Sequence, residues 1–321
     1  MKAVYIEQTG GPEVLKFGEQ PKPEPAAGQA LVKIAATGVN FIDTYHRTGL
    51  YKLPMPAILG SEGAGVVESG EGLKNLKPGD RVAWAMTRGS YAEYAAVPEA
   101  QLVKIPEDVS FNDAAAVMLQ GMTAHYLTHS TFPLKAGQVA LVHAAAGGTG
   151  RLIVQMAKMA GARVIATAGS AAKAKIAHEA GADETILYRE RDFADETRLL
   201  TAGTGVDVVY DSVGADTFAK SIDSLKPRGM MVSFGNASGP APAIQPLLLT
   251  QKGSLFLTRP SLANYIATRQ ELEWRTGDLF RWLEEKKLSL LIERAYPLAE
   301  AAQAHRDLEG RKTTGKLLLA V

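Results

Sequence analysis

The stretch HAAAGGTG, residues 143–150, decides the fold, because QVALVHA before it reads as a buried strand and RLIVQMAKMAG after it reads as a helix. A Gly-rich turn between a strand and a helix is the setting in which a dinucleotide pyrophosphate is held. Aligned on GxGxxG, Ala145 takes the first glycine position, Gly147 the second and Gly150 the third. The second lets backbone approach the pyrophosphate, and the third lets helix pack on strand. The first eases a tight turn, and alanine is its smallest substitute. Gly147, Gly148 and Thr149 lead into a helix start whose free N–H groups and partial positive charge would face the phosphates. Taken alone, the motif reads also as an ordinary tight loop.

Strand and helix go on alternating through ARVIATAG, AAKAKIAHEAG, ETILY, VDVVYDSV and GMMVSFG, which implies βαβ units and a parallel sheet. This favours the dinucleotide reading. The first 105 residues differ: KAVYI, ALVKIAA, GAGVVES, DRVAWA and AEYAAV are short strand-like runs parted by Pro and Gly, so an irregular β domain is expected there. PKPEPAAG, residues 21–28, reads as a loop within it. From Ser110, SFNDAAAVMLQGMTAHYLTHS reads as one connecting helix. After about Asn264 come a helix, a strand near ERAYPL, the helix AEAAQAHRDLEG and the strand KLLLAV, expected to rejoin the first domain. The fold class is α/β, with domains expected at 1–122, 123–262 and a returning segment at 263–321.

The 321 residues are 46% hydrophobic, enough for a large core in about two domains. With 35 basic and 34 acidic side chains there is no global field to recruit nucleic acid or an anionic membrane. Cysteine is absent, which excludes disulfides and thiolate chemistry and fits a reducing compartment. MKAVYIEQTG lacks the apolar core of a signal peptide, and no run is long enough to cross a membrane, so a cytoplasmic protein is expected.

The second strand of the βα series selects the cofactor. An NAD site places an acid about 20 residues past the fingerprint, where it accepts the ribose hydroxyls. Here the chain reads ATAGSAAK, with Gly169, Ser170 and Lys173 and no acid. A hydroxyl and an ammonium suit a 2′-phosphate, each charge-assisted bond contributing about 1.5–3 kcal/mol. The expected cofactor is NADPH. Lys173 alone reads equally as a solvated helix lysine; the missing acid is the stronger argument.

These residues, with TGVNFIDTYHRTGLY, GSEGAGVV, VVYDSVG, VSFGNASG and SLFLTRPSL, give a chain-long resemblance to the medium-chain dehydrogenases/reductases, and within them to the zinc-free NADPH:quinone oxidoreductases similar to zeta-crystallin. The resemblance implies a GroES-like β domain joined to a Rossmann domain. Zinc-bearing members carry a Cys after TGV and a His before EGAG; this chain has Asn40 and Ser61, neither of which replaces a thiolate or an imidazole, so no metal is expected. The resemblance further implies that Asn40, Phe41, Ile42, Asp43, Thr44 and Tyr45 line the nicotinamide end of a cleft. Asn40 and Asp43 would hydrogen-bond carboxamide or ribose, and Tyr45 and Tyr51 would contact a flat substrate. Without the resemblance, Asn40 to Tyr45 reads as a polar turn. Thr123 and Tyr126 would approach the nicotinamide, and Tyr188 and Arg311 would join Lys173 around the 2′-phosphate. Ser212, Phe234, Gly235, Asn236 and Ala237 stand at strand ends, where open parallel sheets bind ligands. Pro260, Ser261 and Leu262 would close the same crevice.

The six histidines show no metal spacing and read as structural or surface residues, His143 facing neighbouring backbone. A quinone needs no built-in acid, because a hydroquinone oxyanion takes its proton from water, whereas a ketone would need one contributing about 100-fold. The resemblance thus implies quinone reduction by hydride or one-electron transfer. The alternatives are reduction of an alkenal, enone or enoyl-thioester double bond, and an NADPH-binding protein with a structural or RNA-binding role. GSLFLTRP is expected to form an edge strand, and the resemblance implies that such strands pair across a twofold axis into a homodimer.

Overall fold

The computed structural model describes residues 1–321. In chain order, the first part contains β1 (Lys2–Ile6), β2 (Lys16–Glu19), β3 (Gln29–Val39), α1 (Phe41–Thr48), β4 (Ala57–Ile58), β5 (Glu62–Ser69), β6 (Arg81–Ala85), β7 (Tyr94–Pro98), β8 (Val103–Lys104) and α2 (Phe111–Tyr126). The βα series follows as β9 (Val139–Val142), α3 (Gly148–Met159), β10 (Arg163–Ala168), α4 (Ala171–Glu179), β11 (Glu184–Leu187), α5 (Phe193–Leu200), β12 (Val206–Asp211), α6 (Phe218–Asp223), β13 (Leu225–Ser233), α7 (Leu247–Gln251), β14 (Phe256–Thr258) and α8 (Leu262–Tyr265). The last elements are α9 (Arg269–Glu284), β15 (Ile292–Pro297), α10 (Ala301–Glu309) and β16 (Lys316–Ala320). Two compact units result, Met1–Met122 with Tyr265–Val321, and Thr123–Asn264. The first division falls inside α2. The second falls at Tyr265 and not at residue 263, because α8 carries the chain past that point.

In the discontinuous unit a seven-stranded sheet runs β15-β16-β3-β5-β6-β8, with β7 also on β3, beside a three-stranded sheet β2-β1-β4. Strand β16 lies antiparallel to β3, Leu317 opposite Val39 and Leu319 opposite Thr37, so the segment after the βα series completes the first sheet. Val4, Ile6, Val39, Tyr91, Tyr296, Leu317 and Leu319 form one buried cluster, and Val32, Val82, Trp84 and Val97 another.

In the other unit six strands run β11-β10-β9-β12-β13-β14, every pairing parallel. This is the doubly wound order 3-2-1-4-5-6, whose direction reverses between β9 and β12 and opens a ligand crevice at the carboxyl ends of those strands. Both faces are covered, which is why β12 is buried at every position; its two acids are both engaged, Asp207 by the Val139 N–H and Lys226, and Asp211 by the turn that follows. Leu141, Ile165, Val209, Met231, Phe193 and Phe218 fill its core. No helix is long and apolar enough to cross a membrane.

The close contact between α3 and the turn before it constrains this layout. A Cβ on Gly150 would stand 2.4 Å from the Ala144 carbonyl oxygen and 3.0 Å from Ala145 Cα, whereas one on Gly277, inside α9, would meet nothing within 4 Å. Gly150→Ala is therefore expected to lose about 3 kcal/mol through overpacking against backbone, and Gly277→Ala to gain roughly 0.5–1 kcal/mol from helix propensity. Urea denaturation of both variants checks the contrast.

Candidate active site

The phosphate turn follows β9 with a left-handed residue at Ala144, φ +50°, and not at Ala145. Ala145 is buried and its N–H points to the Thr167 carbonyl at 3.4 Å, so alanine suffices at the first fingerprint position. Gly147 precedes α3 in an extended conformation and offers it no side-chain cap. The first-turn N–H groups at Gly148 and Thr149 are left to an acceptor from outside, which suits a phosphate.

His143 was expected to face backbone, but its ring meets side chains from two neighbouring elements. Nδ1 lies 2.9 Å from Thr167 Oγ1 and Nε2 2.9 Å from Ser221 Oγ. The Ser221 hydroxyl donates to Asp211 Oδ2 at 2.9 Å, so it accepts from His143 Nε2–H, and Nδ1 accepts from Thr167. Burial lowers the His143 pKa against the opposing pull of Asp211, which keeps the ring neutral. The Asp211 carboxylate also takes the N–H groups of Val213 and Gly214, and so shapes the DSVG turn that carries Ser212.

At the end of β10, Ser170 caps α4, its Oγ accepting the Lys173 N–H at 3.4 Å. A Cβ on Gly169 would lie 2.7 Å from Tyr188 Oη and 3.6 Å from Arg189 Nε, so glycine leaves room for the tyrosine to close over this turn. Gly169, Ser170, Lys173 and Tyr188 are thereby gathered at one corner. Arg189 joins them, a residue the sequence reading missed although it directly follows Tyr188. Arg311 belongs to the other unit, at a left-handed turn after α10. A second cluster forms where Phe234 donates to the Asp211 carbonyl and Ala237 to that of Ser212. A Cβ on Gly235 would stand 2.3 Å from the Ser212 oxygen, so the turn containing Asn236 needs glycine to lie on the turn after β12. Pro260 and Ser261 follow β14, and Leu262 is buried at the start of α8. Thr123 and Tyr126, in the last turns of α2, are buried.

In the discontinuous unit, Asn40 to Tyr45 is the start of a helix and not a polar turn, because the Asp43 carboxylate accepts the Asn40 N–H at 3.0 Å and caps α1. Asp43 is fully buried, taking Ser61 Oγ at 2.7 Å and Tyr91 Oη at 3.1 Å. Burial pushes its pKa up to about 6. Tyr91 also meets His305 Nε2 at 3.1 Å, and Arg47 Nη1 donates to His305 Nδ1 while forking onto Glu309. Burial, and then the Arg47 charge, drive the His305 pKa down to about 3, so it too is neutral. Asn40 is locked from the other side: its Nδ2 donates to Glu62 Oε2 at 2.8 Å, and Lys316 Nζ donates to Asn40 Oδ1 at 2.8 Å and to Glu62 at 2.5 Å. The polar atoms of Asn40 and Asp43 are thus engaged by neighbouring side chains and backbone. Thr44, also buried, returns its hydroxyl to the Phe41 carbonyl at 2.8 Å, while Phe41 and Ile42 are half-buried. Tyr45 and Tyr51 meet edge to face, centroids 5.4 Å apart, with Tyr51 exposed.

Residues 26–107 match the family described as alcohol dehydrogenase GroES-like domain, and residues 148–277 that described as zinc-binding dehydrogenase. Quinone oxidoreductase 1 of Escherichia coli is 44% identical over 321 residues, 98% of each chain. This chain belongs to the quinone oxidoreductases of the medium-chain dehydrogenase/reductase family. A 2-haloacrylate reductase of Burkholderia is 41% identical, covering 99% of this chain and 98% of its own. The crystal structure of Escherichia coli quinone oxidoreductase complexed with NADPH superposes with a TM-score of 0.98 at 43% identity and full coverage of both chains. Although one matching family is named for zinc, an amide and a hydroxyl stand at the two ligand positions, both engaged by neighbouring side chains. Glu62, Lys316, Tyr91 and His305 are the residues that sequence reasoning missed here, since each finds its partner across a long stretch of chain.

The raised Asp43 pKa has a definite sign in stability. Between about pH 4 and 6 the native state holds a proton that the unfolded chain has released, so this group's contribution falls as pH rises through that window and levels off above it. Asp43→Asn removes the titration. The variant's stability relative to the parent is expected to rise by about 1–3 kcal/mol between pH 4 and pH 7, read from urea midpoints at both pH values.

Proposed function

We propose that this chain is a zinc-independent NADPH:quinone oxidoreductase. The observation that carries the reading is the corner at the end of β10, where Gly169, Ser170, Lys173, Tyr188 and Arg189 offer hydroxyls and cations and no carboxylate. These residues, with Gly147, Gly148 and Thr149 at the helix start, would hold the phosphates of NADPH. The turns at Ser212 and at Phe234 to Ala237, with Pro260 to Leu262, would hold the rest. When bound, NADPH supplies a hydride to the substrate.

The protein's part is orientation. Tyr45 and Tyr51 give a flat quinone an aromatic surface. Asn40 and Asp43 act by fixing the start of α1, from which Tyr45 projects and against which Tyr51 packs after the helix ends. With His305 held neutral and enclosed, and a hydroquinone oxyanion able to draw its proton from water, no side chain is required as the acid. A second reading, reduction of an activated carbon–carbon double bond, is favoured by the likeness to a 2-haloacrylate reductase. We place the protein in the cytoplasm, in keeping with its lack of cysteine. We also infer a homodimer, formed by pairing of β14, an edge strand whose Phe256 is 57% exposed.

NADPH oxidation with quinones, 2-alkenals and crotonyl thioester tests substrate and cofactor together. Turnover of quinones is expected, and activity on the alkenals and thioester alone would reject the first reading. Lys173→Ala should raise the NADPH Michaelis constant by roughly tenfold or more while changing that of NADH less than about twofold. An unchanged NADPH constant would sink the proposed phosphate corner. Light scattering at micromolar concentration should give the mass of a dimer; a monomer would refute edge pairing.

A further inference from the structure

Arg259 directly follows β14, and one guanidinium nitrogen holds two carbonyls of the neighbouring strand's end. Its Nη1 donates to the Ser233 oxygen at 2.8 Å and to the Gly235 oxygen at 3.3 Å. Ser233 ends β13, and Gly235 belongs to the Phe234 to Ala237 turn that lies against Ser212. Arg259 therefore ties the sixth strand to the turn after the fifth. The remaining Nε and Nη2 donors stay on an exposed side chain that pairs with no carboxylate.

In the order β11-β10-β9-β12-β13-β14, the residues proposed to hold the 2′-phosphate stand at the ends of β10 and β11. A doubly wound sheet binds one mononucleotide on each half, so the half made of β12, β13 and β14 receives the nicotinamide side. A nicotinamide ring is cationic when oxidised and neutral when reduced. A guanidinium without a counter-charge at that end repels the oxidised ring and leaves the reduced one unaffected.

We propose that Arg259 is a positioning residue of the nicotinamide half, which holds the Phe234 to Ala237 turn in its binding shape and biases the site toward the reduced cofactor. The inference rests on the NADPH reading above. In the reducing direction it favours capture of NADPH and release of NADP+.

The test measures dissociation constants of NADPH, NADP+ and 2′,5′-ADP, which keeps the 2′-phosphate and lacks nicotinamide, for the full chain, Arg259→Lys and Arg259→Gln. The parent should bind NADPH more tightly than NADP+. In Arg259→Gln, NADPH should weaken about fivefold or more and the preference over NADP+ narrow about threefold or more, with 2′,5′-ADP within about twofold of the parent. Arg259→Lys, which keeps the charge, should retain the preference while losing affinity. An unchanged preference in Arg259→Gln, or an equal weakening of 2′,5′-ADP, overturns the proposal. A parent chain that binds no 2′,5′-ADP overturns the NADPH reading beneath it.

Discussion

Three adjacent strands of the seven-stranded sheet meet at one buried ammonium. Lys316 on β16 reaches Asn40, just past β3, and Glu62 at the start of β5, and both of its bonds lie out of water. A carboxylate taken out of water without a partner is strongly destabilising, so Glu62 depends on Lys316, and the Asn40 amide is oriented by both. Asn40 in turn begins α1, whose capping carboxylate, Asp43, is gripped by Ser61 and Tyr91. The aromatic surface of Tyr45 and Tyr51 is thus set by a chain of buried polar contacts that begins at one lysine. Where zinc-bearing relatives of the resemblance place metal ligands, this protein places a hydrogen-bonded scaffold.

The nucleotide-binding unit uses backbone for the same purpose. Gly150 and Gly235 each stand where a Cβ would strike a carbonyl oxygen, at 2.4 Å and 2.3 Å. Both contacts lie at the carboxyl edge of the parallel sheet. Asp211 joins the two regions: its carboxylate shapes the DSVG turn and, through Ser221, fixes the ring of His143 at the mouth of the phosphate turn.

Much of this was legible in the sequence because it depends on local spacing. HAAAGGTG between strand and helix gave the parallel sheet, GSAAK gave an acid-free turn after the second strand of that sheet, and GSLFLTRP gave the edge. Asn40 to Tyr45 misled as an isolated stretch because Asn, Asp and Thr also favour turns; the carboxylate three residues after Asn40 was the signal of a helix start. His143 was misjudged because its partners, Thr167 and Ser221, come from a neighbouring strand and a later helix. The partners of Asn40, Glu62 and Tyr91 were not legible at all. Contacts such as Tyr91 with His305, 214 positions apart, have no periodicity to reveal them and exist only once the sheet has formed.

The placement of Lys316 also bears on how the chain acquires its structure during synthesis. Asn40 and Glu62 leave the ribosome 276 and 254 positions ahead of the ammonium that satisfies them. All of Thr123–Asn264, with its own sheet and core, emerges in that interval. Domains fold as units as they are made. The nucleotide-binding half can thus mature on the nascent chain, while the half bearing Tyr45 and Tyr51 cannot complete its sheet or pair Glu62 with Lys316 until β16 arrives.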